Sequence, residues 1–171
     1  MAWPDLSGVL TGLPWAVVGA VAARQYMPER MTHDLDVAVL SRDRESVRAR
    51  LRNADFTQTG ELSVGGSQWR APDGTPLDVL ETEGSFWETA LHEASDNLDA
   101  QGLPALPLPY LVLSKLQAGR AQDVADVSRM LGAASEGDLG SVRLAVRTYA
   151  PDLLEDIESL IALGRLEMEG G

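Results

Sequence analysis

Two aspartates near the start of the sequence have the type and spacing that bind divalent cations. Asp34 and Asp36 stand two residues apart at the head of the apolar run 35–40. Alternate residues of a strand point to the same face, so the two carboxylates are expected side by side, where a shared cation would remove their repulsion. Taken alone, such a pair has a competing interpretation as a turn or a helix N-cap.

A third acid, Asp78, interrupts another apolar run at 76–81. Buried acids are uncommon in proteins unless they are paired or bound to metal. If the two runs are neighbouring strands, three carboxylates converge on one cation site. The alternative is that Asp78 faces solvent on an edge strand.

Two further segments suit a phosphate. Gly19 ends the apolar run 15–18 and opens a helix-forming segment, so a phosphate could approach the backbone there. Lys115 is the sole lysine and interrupts an apolar helical segment, which favours an anion or an acid beside it. The alternatives are an ordinary tight turn at Gly19 and a lysine whose stem packs on the surface.

Hydrophobic periodicity and turn residues predict the elements that position these side chains. The first half is predicted to contain a short helix near 5–10, a strand at 15–18 and a helix at 20–27. A strand at 35–40 and a helix at 42–54 follow, and then strands at 57–64, 67–71 and 76–81. The second half is predicted to be helical, with helices at 85–94, 110–118, 122–131, 139–148 and 153–166.

This element order predicts an α+β fold, a mixed β-sheet with flanking helices followed by a C-terminal helical half. We expect a core domain over 1–98 and a helical region over 99–171 packed on it. Five arginines at 42–52 form a basic helix. The favoured interpretation is a solvated face that pairs with acids, and the alternative is a surface for an anionic acceptor such as an RNA end.

Composition limits the possible functions. The chain has 171 residues, 44% of them hydrophobic, a formal net charge of -12 and no cysteine. Zinc-thiolate and disulfide chemistry are therefore excluded, and such an acidic surface argues against extensive binding of duplex nucleic acid. The apolar run 9–23 is shorter than the ~20 residues of a membrane span and lacks a preceding basic region. We expect a cytoplasmic protein with no membrane partner.

The order of these motifs resembles the nucleotidyltransferase superfamily whose founding member is DNA polymerase beta. The nearest likeness is to its bacterial minimal, AbiEii-like toxin–antitoxin branch. That family has a strand ending in glycine, an Asp-x-Asp on the next strand and a third acid on a later one. Its arginine and Ser/Thr before the Asp-x-Asp match Arg30 and Thr32. Its later helical signature matches Lys115, Ala118, Arg120, Asp123 and Asp126.

The resemblance, which covers about residues 15–131, implies transfer of a nucleoside monophosphate from a nucleoside triphosphate to a hydroxyl. The acceptor would be an RNA end, a protein or a small molecule. Catalysis and the binding of Mg2+ or Mn2+ would fall to Asp34, Asp36 and Asp78. The implied nucleotide-binding residues are Gly19, Ala20, Arg24, Arg30, Thr32, Lys115, Arg120 and Asp123. We expect the Lys115 ammonium to point toward the acid cluster and, without nucleotide, to rest against Asp34, Asp36 or Asp123.

One departure from the family pattern favours a different function. Ala20 stands where the family has Ser or Gly, so a hydroxyl that would bind phosphate is missing. The alternative is a nucleotidyltransferase-fold protein that has lost catalysis and binds a partner protein, as an antitoxin or regulator. An unrelated α+β protein with accidental acids is the third interpretation.

Overall fold

The computed structural model describes residues 2–28, 31–84 and 86–170. The chain forms two compact units, residues 1–22 with 31–106 and residues 23–30 with 107–171. None of the helices in the described ranges combines the length and the apolar character needed to cross a membrane.

The first unit is built on a five-stranded mixed sheet. Its strands are β1 (Trp15–Val17), β2 (Leu35–Leu40), β3 (Thr57–Glu61), β4 (Gly66–Arg70) and β5 (Pro76–Thr82). They lie in the order β1-β2-β5-β4-β3, with β2 and β5 parallel and the other neighbours antiparallel. The predicted α+β architecture with a mixed sheet is confirmed.

Alternation along β2 and β5 places the buried valines and the two acids on opposite faces of the sheet. Val37 and Val79 are paired across these strands and are fully buried, as is Leu77 on β5. Because successive side chains of a strand point to opposite faces, the half-buried Asp36 and Asp78 lie on the other face. The packing of the apolar face thus fixes the direction of both acids.

Three helices complete the first unit: α1 (Gly19–Ala23), α2 (Arg44–Asn53), which follows a 3-10 turn at Ser41–Asp43, and α3 (Trp87–Ala94). One arginine of α2, Arg48, pairs with acids on two strands of the sheet. Arg48 Nη1 lies 2.9 Å from Glu61 Oε1 on β3, and its Nη2 lies 2.7 Å from Glu81 Oε1 on β5. Arg50 and Arg52 bond neutral groups instead, since Arg50 Nη1 donates to Thr11 O and Arg52 Nη2 donates to Gln58 Oε1.

The second unit is helical. It contains α4 (Leu108–Ala118), α5 (Ala121–Ala133), α6 (Glu136–Tyr149) and α7 (Leu154–Glu169), with a 3-10 turn at Pro151–Leu153 before α7. Helices α5 and α7 approach closely, because a Cβ on Gly164 would collide with the Ser128 carbonyl and with Gly132. This close approach holds α5, which carries Asp123 and Asp126, against α7.

Several predicted elements differ from those observed, most of all in the first part of the chain. Residues 5–10 form turns rather than a helix, although Leu10 N donates to Leu6 O at 2.7 Å. The helix predicted over 20–27 ends at Ala23, and the chain continues in turns in which Tyr26 N and Met27 N both donate to Ala23 O. The strand predicted over 57–64 ends at Glu61, where the chain turns at Gly65 with φ of 94°.

The first unit extends to residue 106, beyond the boundary at 98 that the sequence predicted. The reason is an edge interaction with β1. Val17 N donates to Pro104 O at 2.7 Å, and Leu106 N donates to Val17 O at 2.9 Å. Residues 99–106 therefore add backbone hydrogen bonds to the sheet and belong with it.

Candidate active site

The candidate site is centred on two acids that face each other across neighbouring parallel strands. Asp36 of β2 and Asp78 of β5 lie directly opposite each other in the register of the sheet. Directly paired residues project from the same face, about 5 Å apart. Two carboxylates that lie far apart in the sequence are thereby brought into one local arrangement.

Gly19 is required by the position of Asp36. It has φ of 62°, and a Cβ built on it would collide with the Asp36 carboxylate. The turn is anchored there because Val18 N donates to Asp36 O at 2.9 Å. The glycine that the sequence predicted for close phosphate approach thus makes room first for the side chain of Asp36.

The carboxyl group of Asp78 lies in an environment that disfavours its charge. Burial raises the pKa of Asp78 above the usual range, a hydrogen bond from Gln68 opposes this rise, and the nearby Asp34 carboxylate adds to it. Gln68 Nε2 donates to Asp78 Oδ1 at 3.3 Å. Asp78 therefore holds a proton more readily than an ordinary aspartate.

Asp34 stands just before β2 and is exposed, so only Asp36 of the two lies on the strand itself. The Asp34 carbonyl accepts a hydrogen bond from Thr32 Oγ1 at 3.4 Å, in the bend that precedes the strand. In the described part of the chain, no three His, Cys, Asp or Glu side chains are grouped so as to hold a metal ion. The acids are neighbours without forming a preassembled ligand set.

Lys115 is buried in the second unit and bound to two buried acids. Its Nζ lies 2.9 Å from Asp126 Oδ2 and 3.3 Å from Asp123 Oδ1, and the lysine side chain is only 5% exposed. The expected contact with Asp123 is present, and Asp126 is the second partner. A phosphate at Lys115 would have to compete with both carboxylates.

The other residues predicted to bind nucleotide differ in their exposure and in their partners. Arg120 is exposed and its Nε lies 2.6 Å from Asp123 Oδ2, so it extends the Lys115 network toward solvent. Ala20 is buried in α1, and Arg24 is half-buried in the turn that follows. Arg30 lies outside the described residues. Nucleotide binding at all of these positions stays a prediction.

Gln68 is the site residue that sequence reasoning missed. A glutamine in a strand of mixed polarity gives no signal of its own. Only the register, which pairs Gln68 with Asp78 and Asp78 with Asp36, places it in the site.

Two solved structures share this fold. One is the solution structure of the antibiotic-resistance factor ANT(2'')-Ia, 19% identical, with a TM-score of 0.50 over 92% of this chain and 85% of that chain. The other is the crystal structure of ANT(2'')-Ia in complex with adenylyl-2''-tobramycin, 18% identical, with a TM-score of 0.52 over 91% of this chain and 89% of that one. No protein-family model and no curated protein matches the sequence.

At this level of identity, the likeness establishes the fold. The chain has the fold of a nucleotidyltransferase, as the motif order predicted. Both structures are of ANT(2'')-Ia, and membership of the AbiEii-like branch that the motifs resembled stays a prediction.

The Asp78 environment predicts a pH effect on stability. An acid whose pKa is raised by folding contributes most stability below its unfolded pKa of about 3.9, and that contribution is lost as the pH rises through the folded pKa. In EDTA at pH 7, Asp78→Asn should therefore melt at a higher temperature than the wild type, with a smaller difference at pH 4.

Asp73→Asn is the matched control for this effect, with the opposite sign. A backbone hydrogen bond from Thr75 lowers the pKa of Asp73, so its carboxylate contributes stability above the unfolded pKa, and this contribution is lost as the pH falls. Asp73→Asn should melt lower than the wild type at pH 7. A lower melting temperature for Asp78→Asn as well would contradict the account of Asp78.

The Lys115 network predicts a large loss of stability when its ammonium is removed. Lys115→Met keeps the stem but removes the cation that two buried carboxylates bind, which typically costs about 3 to 5 kcal/mol. Arg120→Met, at an exposed position on the same acid, should cost less than about 1 kcal/mol. Urea unfolding measures both, and a Lys115→Met protein as stable as Arg120→Met would contradict a structural role.

Proposed function

We propose that the protein transfers a nucleoside monophosphate from a nucleoside triphosphate to a hydroxyl of a small-molecule acceptor and releases pyrophosphate, with Mg2+ or Mn2+ as cofactor. The observation that supports this most is the pairing of Asp36 with Asp78 on adjacent parallel strands, next to the turn at Gly19. The resemblance to nucleotidyltransferases implies that a pair of acids at these positions serves nucleotidyl transfer. The fold alone would not carry the proposal if these positions were apolar.

The side chains present suit a hard divalent cation. Carboxylate oxygens are the ligands that Mg2+ prefers, and Asp34 already acts electrostatically on Asp78. Asp34, Asp36 and Asp78 would hold the cation, and modest rotations of their side chains would turn the oxygens toward it. A bound cation would neutralise triphosphate charge and lower the pKa of the acceptor hydroxyl.

Asp78 is the acid best suited to accept the proton of the acceptor hydroxyl. Its raised pKa makes it a stronger base than an ordinary aspartate, and a general base works best with a pKa nearer the operating pH. Asp36 is held by the fit against Gly19. We therefore propose that Asp36 binds the cation, and that Asp78 both binds the cation and accepts the proton of the acceptor hydroxyl.

A small molecule is the acceptor favoured by charge and by the structural neighbours. ANT(2'')-Ia was solved with an adenylylated tobramycin. A formal net charge of -12 opposes an RNA end and favours an acceptor that carries amines. A toxin–antitoxin role stays a prediction.

Nucleotide binding and transfer can be measured together. Mg2+ with the correct nucleoside triphosphate should raise the melting temperature, since a ligand at about 100 times its Kd adds ~2.7 kcal/mol to stability. Labelled nucleotide should then pass to tobramycin as the first acceptor tested. Asp36→Asn should abolish the shift and lower transfer at least about a hundredfold.

Asp96→Asn is the matched control, because Asp96 is an exposed acid after α3 in the same unit. It should keep both the thermal shift and the transfer. If the wild type shows no shift with any of the nucleoside triphosphates at millimolar concentration, catalysis has been lost. The alternative of a partner-binding antitoxin or regulator would then replace this proposal.

A further inference from the structure

One polar row crosses three neighbouring strands at the candidate site. Gln68 of β4 pairs with Asp78 of β5, and Asp78 pairs with Asp36 of β2. Gln68 and the two acids are half-buried, whereas the neighbours of Gln68 along β4, Ser67 and Trp69, are buried. All three members of the row therefore project from the same face of the sheet.

We propose that Gln68 is a positioning residue that holds the Asp78 carboxylate and marks the acceptor end of the site. This inference rests on the proposed transferase function. The row begins near the Gly19 turn, where Asp36 lies, and ends at Gln68 on the opposite side of Asp78. An acceptor hydroxyl that gives its proton to Asp78 would approach from that end.

The orientation of the Gln68 side chain is fixed from both sides. Its Nε2 donates to Asp78 Oδ1 at 3.3 Å. On the next strand, Gly60 pairs with Gln68, and a Cβ at Gly60 would lie 3.0 Å from Gln68 Oε1. The absence of a side chain at Gly60 leaves room for the amide oxygen, which turns the amide NH2 group toward Asp78.

The chemistry at this position favours an amide over other side chains. Gln68 donates a hydrogen bond without adding a further negative charge beside Asp34, Asp36 and Asp78. Because the amide binds Oδ1, the cation or the acceptor proton would go to Oδ2 of the same carboxylate. The second N–H of the amide can donate to the acceptor's oxygen.

Gln68→Met tests the proposal because it keeps the length of the side chain and removes the donor. We expect the Mg2+–ATP thermal shift and the KM for ATP to stay near wild type. The kcat for transfer to tobramycin should fall between about tenfold and a hundredfold, as a misplaced catalytic group predicts. Gln58→Met is the matched control on β3, since the Gln58 amide bonds Arg52 and Glu61 instead.

A second variant tests the orientation without changing Gln68. Gly60→Ala adds one methyl group against Gln68 Oε1, at a position where the backbone tolerates alanine because its φ is not positive. Gly60→Ala should lower the kcat for transfer to tobramycin, as Gln68→Met does. In the double variant, Gly60→Ala should have no additional effect, because its effect acts through Gln68.

An NMR measurement separates failure of this inference from failure of the proposed function. Mn2+ broadens the resonances of nearby groups, so it should broaden the Gln68 side-chain NH2 signal in the wild type and not in Asp78→Asn. This result would support the placement of Gln68 even if no transfer to tobramycin occurred. Wild-type kcat in Gln68→Met, or an unchanged Gln68 NH2 signal while Mn2+ broadens the Gly19 amide signal beside Asp36, would overturn the inference. Broadening of neither signal would instead contradict the proposed cation site.

Discussion

Two carboxylates on neighbouring parallel strands, Asp36 and Asp78, have to be held side by side although they repel each other. The pairing of β2 with β5 supplies this restraint, because it runs through six consecutive positions, from Leu35 with Leu77 to Leu40 with Thr82. The buried valines on the opposite face help to fix the register, since a one-residue slip of either strand would turn its valine to the face that carries the acids. The packing of the core therefore offsets the repulsion between the two carboxylates.

The neighbours of the two acids follow from the same restraint. Asp36 extends into the space that Gly19 leaves by lacking a Cβ, and Asp78 accepts a hydrogen bond from Gln68. The turn after β1 therefore holds the Asp36 carboxylate, and a side chain of β4 holds that of Asp78. Under the proposed function, a bound cation would draw the carboxylate oxygens of Asp36 and Asp78 toward it, because no three metal-ligating side chains are already grouped in the described residues.

The strands that carry the acids could be predicted from the sequence because they are short apolar runs with one interrupting acid. Strand β2 begins and ends at the residues expected, and β5 differs by one residue. The role of Gln68 could not be predicted, because it depends on register between strands rather than on any local pattern. Gly19 was predicted as a turn glycine, but the side chain that requires a glycine there, Asp36, lies 17 positions further along the chain. No local pattern around Gly19 indicates that contact.

Lys115 shows a different limit of sequence reasoning. A lone lysine in an apolar helix indicates a buried anionic partner, and that expectation was sound. Whether the anion is a ligand or a side chain depends on the turn at Gly119, whose φ of 65° ends α4 and lets α5 begin two residues later. The turn brings Asp123 and Asp126 to the ammonium, so the charge of the lysine is balanced within the helical unit.

Under the proposed function, Asp36 and Asp78 together form the nucleotide and cation site of a nucleotidyltransferase. A crystal structure with Mg2+ and a nucleoside triphosphate analogue that resists cleavage at the α-phosphate would show this site. We expect a cation in contact with both carboxylates and a triphosphate beside the Gly19 turn. An analogue bound elsewhere, with the contacts of Asp36 to Gly19 and of Asp78 to Gln68 unchanged, would contradict it.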